Sequence, residues 1–186
     1  MKNNLIKGIR MTVVLVVLFT VIYPLSVWAV AQLAPNNGKG EIVSYKQTKG
    51  YANIGQSFTK DEYFWGRPSA VDYNAAGSGA SNKGASNEEY LAVVQGRIDT
   101  FLLKNPSVKK SEIPVDLVTA SGSGLDPNIS VASAKIQIVR IQKARNIDPE
   151  KLNTLIDANT EQPLLEMFGP AKINVLKLNI ALDQLK

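Results

Sequence analysis

Two side chains are missing altogether: the sequence contains neither cysteine nor histidine. Without cysteine there is no disulfide framework and no thiolate nucleophile. Without histidine, neither a Ser-His-Asp nor a Cys-His arrangement can be built from this chain. Zinc sites normally draw on both residues and are disfavoured for the same reason. A Ser-Lys dyad or a carboxylate pair survives this filter, and no motif marks either one. A phosphate-binding loop is also lacking, because no Gly-Lys pair is followed by Ser or Thr. Gly122-Ser123-Gly124 lacks the third glycine of a dinucleotide fingerprint.

Charge is missing from one stretch. Met11 to Ala34 runs for 24 residues without a charged side chain. A bilayer core needs roughly 20 apolar residues to be crossed as a helix, so this run is predicted to span a membrane. Lys2, Lys7 and Arg10 precede it, and the first acidic residue is Glu41. Excess Lys and Arg stay on the cytoplasmic side. Residues 1–10 are therefore expected in the cytoplasm, 11–34 across the cell's inner (plasma) membrane, and 35–186 outside as one domain. Pro24 is expected to bend the helix or free a carbonyl for a neighbouring helix. Thr20, Tyr23, Pro24 and Ser26 are the candidates for packing against other membrane helices. The competing reading is a cleaved signal peptide with Ala29-Val30-Ala31 as its cleavage site, although the apolar run is longer than such segments usually are.

The net charge of +5 is mostly this topology signal. Setting aside the three flanking cations leaves 18 basic against 16 acidic residues. Lys109-Lys110 is the sole basic doublet there, so membrane lipid is an expected partner and nucleic acid is not.

The remaining residues are one domain's worth of chain and read as α+β. Pro35 to Gly40 is a turn-rich linker, and Ile42 to Thr48 a strand. Phe64 to Ser86 is a long loop rich in small residues, studded with aromatics. A capping box of Ser86 and Glu89 opens a helix that ends at Asn105-Pro106. Val115 to Thr119 is a strand candidate. Ser130 caps a helix over 131–145, and Asp148-Pro149 opens another with Leu152, Leu155 and Ile156 inward. Ile173 to Leu178 reads as a strand and Ile180 to Leu185 as a short helix.

Three features compete for function. The loop Ser121-Gly122-Ser123-Gly124 could converge backbone amides on an anion, and is the candidate nucleotide site. A turn that requires small residues explains it more simply. Phe64, Trp65 and Arg67 are candidate partner contacts, a sugar- or partner-binding edge in the chemistry they offer. The simpler account is an aromatic patch that anchors the long loop, with Arg67 bonding loop carbonyls. Asp116 and Asp126 flank the small-residue loop as a nominal carboxylate pair, and Asp126 is expected to bond backbone amides of its own turn. From these residues the chain is an anchored accessory domain without catalysis. An anchored hydrolase with a Ser-Lys pair and a solute- or envelope-binding module remain as alternatives.

The motifs carry a resemblance beyond this. Tyr23-Pro24-Leu25, Ile54-Gly55-Gln56 with Phe58, Tyr63-Phe64 and Gly66-Arg67-Pro68-Ser69-Ala70 are four of its parts. Tyr73-Asn74, Ser81-Asn82, the run Val115 to Asp126, Ile129-Ser130, Asn174-Val175, Leu178-Asn179 and Ala181-Leu182-Asp183 complete it. In this order they resemble the C subunit of the Kdp potassium-transporting P-type ATPase. That family usually has Ser-Gly-Gly-Ser-Asn where Gly77 to Asn82 stand here, and often His and Pro in place of Asn128 and Val131. The resemblance implies a non-catalytic subunit of an ATP-driven potassium uptake complex. Its implied partners are a potassium-channel-like subunit, a P-type ATPase subunit and a very small membrane subunit. It also implies roles in assembly and as a catalytic chaperone that raises the pump subunit's affinity for ATP. No tightly bound cofactor is implied, and ATP enters through the pump subunit. Direct contact with ATP conflicts with a domain outside the cytoplasm. The chain lacks the Asp-Lys-Thr-Gly phosphorylation sequence of such pumps and the Thr-Val-Gly-Tyr-Gly filter of potassium channels.

Overall fold

The computed structural model describes residues 2–45 and 48–185. The chain divides into two compact units, Met1–Glu41 and Ile42–Lys186.

The first unit is helical. Helix α1 (Lys2–Val17) passes through a π turn, Leu18–Ile22, into α2 (Tyr23–Ala31). Asn3–Ala31 is long and apolar enough to cross a membrane. The π turn answers the proline. Pro24 has no N–H, and its ring would strike the carbonyl four residues back in a regular helix. The wider turn moves that carbonyl away, and the Tyr23 N–H reaches Leu18 O instead. The Thr20 and Ser26 hydroxyls donate back to the carbonyls of Val16 (2.7 Å) and Ile22 (2.8 Å). Asn36 and Asn37, both at positive φ, turn the chain after the helix.

The second unit is α+β. Strands β1 (Ile42–Tyr45) and β2 (Thr48–Tyr51) form an antiparallel hairpin with Val43 opposite Gly50. The strand expected over 42–48 is thus the first arm of a hairpin, and residues 46 and 47 of it lie outside the described residues. A second sheet has the order β3 (Asn128–Ile129), β5 (Lys172–Asn174), β4 (Thr160–Glu161), antiparallel throughout. Helices α4 (Val131–Lys135) and α7 (Val175–Gln184) rest on β5. Helix α6 (Pro149–Ala158) packs against α4, α7 and α5 (Ile138–Arg145). Between them lie Phe64, Ile129, Ile138, Ile141, Leu152, Ile156, Ile173, Val175, Leu178 and Leu182, all buried. Fully burying each such side chain contributes about 1.5–3 kcal/mol.

The caps at Ser130 and Asp148 are present, accepting from the N–H groups of Ser133 and Glu150. Four local expectations are corrected. Helix α3 (Glu88–Lys104) is capped by Asn87, which accepts from Tyr90 N, while Glu89 turns out to Lys83 at 3.1 Å. Val115 to Thr119 is not a strand: Leu117 and Val118 are both buried, which alternation forbids, and Val115–Leu117 is a 3-10 turn. The helix over 131–145 is interrupted at Ile136 and Gln137. Finally, β5 stops at Asn174, whose side chain accepts from Lys177 N and caps α7. Leu178 and Leu182 are buried four residues apart, a helical stripe rather than a strand face.

Candidate functional site

The aromatic segment is held from both sides by side-chain amides. Phe64 N–H donates to Asn179 Oδ1 (2.8 Å), and Asn179 Nδ2 donates to Phe64 O (3.0 Å). One residue on, Trp65 N–H donates to Gln137 Oε1 (2.8 Å), and Gln137 Nε2 donates to Trp65 O (3.1 Å). The two amides thus replace a neighbouring strand, satisfying backbone groups that water cannot reach. Gln137 sits where the helix is interrupted, and both side chains are buried.

Two arginines of α5 complete the clamp. Arg140 Nη1 donates to the carbonyls of Asp61 and Tyr63, Nη2 to Gln137 Oε1 (2.6 Å) and Nε to Asn105 Oδ1 (3.3 Å). Its guanidinium lies 4.4 Å from the Trp65 ring centroid. Burial pulls the Arg140 pKa down to about 10, against the pull of nearby Asp61, so the group stays cationic at neutral pH. Arg145 donates to Glu62 O (2.7 Å) and Asp183 Oδ1 (2.6 Å) and stacks on Tyr63. Burial first, and then the Asp183 carboxylate, raise the Tyr63 pKa.

This arrangement sorts the candidate contacts. Phe64 has no exposed surface and belongs to the core. Trp65 is half-buried. It donates its indole N–H to Lys60 O (2.9 Å) and meets Phe101 edge-on at 6.3 Å. It faces an open cleft of about 400 Å³, lined also by Phe58, Pro68, Arg97, Phe101 and Lys104.

Contrary to the expectation that it bonds loop carbonyls, Arg67 bonds none of them among the described residues. It forms an ion pair with Asp126 at 2.9 Å, and its Nε is buried with no partner among the described residues. A carboxylate within reach outcompetes a neutral carbonyl for a guanidinium. Asp126 also accepts from Asn128 N (3.0 Å), the turn bond expected of it. Asp116 is spent elsewhere, accepting from Ser130 N (2.7 Å) and Ser133 Oγ (2.6 Å).

The two small-residue loops are joined. Ser69 Oγ donates to Gly124 O (2.6 Å) and accepts from the N–H groups of Val71 and Tyr73. Tyr73 OH donates to Arg67 O (2.6 Å), and Gly79 N–H to Ser123 O (2.8 Å). Gly124 has φ +67°, and a Cβ there would sit 2.6 Å from Gly79 O. Its N–H points inward, to Ser121 O and Ser121 Oγ. Gly122 is exposed and faces open space. Ser121, Gly122 and Ser123 line a shallow hollow with Arg67, Asp126 and Asn53.

Gln137 and Arg140 belong to no sequence motif, and Asn179 stands out in the sequence only through the Leu178-Asn179 part of the family resemblance. Their bonds to the aromatic segment join residues 72 to 115 positions apart, and a polar residue on an otherwise apolar helix face is the local signal they give.

This geometry defines an α+β domain, carried on a chain with one candidate membrane helix, whose polar residues fasten loops to the core. The model of a family described as KdpC, the c chain of K+-transporting ATPase, matches residues 5–184, and the chain belongs to that family. It is 57% identical over 185 residues to the "Potassium-transporting ATPase KdpC subunit" of Flavobacterium johnsoniae, covering 99% of this chain and 100% of that protein. The same description goes with a Bacteroides fragilis protein, 49% identical over 99% of this chain and 98% of its own length. It also goes with one from Caldanaerobacter subterraneus, 42% identical over 98% and 95%.

Proposed function

We propose that the chain is a non-catalytic accessory subunit of an ATP-driven potassium transport complex. It is held in the inner membrane by Asn3–Ala31, with its N-terminus in the cytoplasm and its domain outside. The observation that carries this reading is the family match over nearly the whole chain, 5–184, which includes the membrane helix. The fate of the acidic residues supports it. Asp116, Asp126 and Asp183 are each invested in hydrogen bonds that secure loops and helix starts. The partners are the other subunits of the complex: a channel-like potassium subunit, a P-type ATPase subunit and a very small membrane subunit.

Within that complex the chain assists assembly and raises the pump subunit's affinity for ATP. An outside domain does not meet cytoplasmic ATP, so the effect passes through membrane helices as a coupling between distinct sites. Thr20, Tyr23, Pro24 and Ser26 are the residues of that contact. The second reading is direct nucleotide contact at the hollow of Ser121, Gly122 and Ser123, which the ion-paired Arg67 and Asp126 also line.

One experiment separates the two. The Michaelis constant of the pump for ATP is measured with the wild-type chain, with Gly122→Leu, and with Met11 to Ala34 exchanged for an unrelated spanning helix. Gly122 tolerates a side chain, whereas Gly124 does not and would confuse loss of fold with loss of binding. The proposed route requires that enhancement survive Gly122→Leu and vanish with the exchanged helix. The opposite pattern assigns the effect to the loop.

A further inference from the structure

Leu164, Leu165, Met167 and Phe168 are 70%, 72%, 74% and 61% exposed, an apolar cluster on the connection from β4 to β5. The cluster is not a slack loop. Leu164 and Phe168 exchange both backbone hydrogen bonds, at 3.1 and 3.0 Å, and Glu166 N–H donates to Pro163 O. Pro163 and Pro170 bound the segment. The three-residue turn between the bonded pair places Leu165 at φ 55° and Glu166 at φ 60°, positions that glycine or asparagine would occupy at less cost. The chain thus accepts strain and solvent-exposed apolar surface at one hydrogen-bonded tip. Exposed apolar patches of this kind mark contact surfaces.

The composition of the tip discriminates between possible occupants. Residues 163–171 contain no Lys or Arg to attract anionic headgroups, and no Trp or Tyr of the kind that sits at a bilayer interface. Their one charge is the carboxylate of Glu166 at the apex, which hydrocarbon would exclude and an anionic surface would repel. Met and Phe are enriched in protein interfaces, and a pre-ordered loop loses little entropy on docking. We infer that the Leu164–Phe168 tip is a docking knob. It inserts into an apolar pocket, with a cationic side chain opposite Glu166, on another protein subunit of the complex. This rests on the accessory-subunit reading above.

The absence of cysteine makes a clean test. Met167→Cys introduces the chain's single thiol, at an exposed site. Its labelling by N-ethylmaleimide is followed in three states: the full chain alone in detergent, the full chain alone in phosphatidylethanolamine–phosphatidylglycerol vesicles, and the assembled complex. The expected result is equal, fast labelling in the first two and labelling slowed at least about tenfold in the complex, as for a fully covered interface core. A second variant, Leu165→Asn with Glu166→Gly, relaxes the backbone while removing the knob. It is expected to leave the thermal midpoint of the lone chain unchanged or higher, and to lower recovery of the complex about tenfold. Fast labelling in an intact complex, or wild-type recovery of the double variant, overturns the inference and leaves the accessory-subunit reading standing. Protection in vesicles without partners assigns the tip to lipid and also overturns it. Failure of the wild-type chain to bring any subunit along overturns both.

Discussion

Asn179 brackets the backbone of a residue 115 positions earlier: its side-chain oxygen accepts from Phe64 N–H at 2.8 Å and its nitrogen donates to Phe64 O at 3.0 Å. Asn179 is 2% exposed and Phe64 is not exposed at all. The core therefore closes around two backbone groups that, among the described residues, this side chain satisfies. Asn179→Ala should cost roughly 2–6 kcal/mol, one desolvation penalty for each of the two orphaned groups. Urea unfolding of the full chain in detergent measures it. A loss below about 1 kcal/mol would mean that the peptide finds other partners.

The two glycines of the small-residue loop should behave differently. Gly124→Ala forces a left-handed backbone on alanine and drives Cβ against Gly79 O, so a loss of about 1–3 kcal/mol is expected. Gly122→Ala meets open space and should stay within about 0.5 kcal/mol of wild type. Equal effects at both positions would contradict the tie between the loops.

The pH dependence follows from what is absent. Histidine and cysteine are the side chains that ordinarily titrate between pH 6 and 9, and this chain has neither. Stability should therefore vary little across that range. Above it, Tyr73 acts: burial raises its pKa above 10, so the unfolded chain releases this proton first and stability falls as pH rises through that region. Arg140 acts in the opposite sense, since burial lowers its pKa to about 10 and the unfolded chain holds that proton longer. Tyr73→Phe should flatten the alkaline decline. A steeper decline in the variant would assign the loss to another group.

The membrane helix should be separable from the domain. Pro24→Ala allows a regular helix in place of the π turn at Leu18–Ile22. Thermal unfolding of the domain should not change, whereas co-purification of the other subunits should weaken. Unchanged co-purification would reduce the helix to an anchor.

Processing gives a direct check on the anchor. The mature N-terminus should be Met1 or Lys2, and protease added outside sealed cells should reach the domain once any outer envelope is opened. Recovery of Gln32 as the first residue would show cleavage after Ala31.

Much of this protein is legible one segment at a time. The apolar run, its basic flank and the caps at Ser130 and Asp148 depend on neighbours within a few residues, so composition and spacing reveal them. The character of Asp126 as a turn carboxylate is local in the same sense. Leu176-Lys177-Leu178 shows where local reading fails: a short alternation fits a strand, but burial of Leu178 and Leu182 on one stripe makes it helix. The aromatic segment shows why. Phe64 goes inward, and Trp65 lies under Arg140, because Asn179, Gln137 and Arg140 arrive from distant helices to satisfy its backbone. Sequence alone determined the long apolar helix, the α+β class and the helix starts at Ser130 and Asp148, since short-range hydrogen bonding and hydrophobic periodicity govern them. Tertiary structure decided which polar residues are buried, which loops are tied and which apolar tip stays exposed. Those outcomes depend on pairing desolvated groups across the whole chain, and no window of neighbouring residues carries that information.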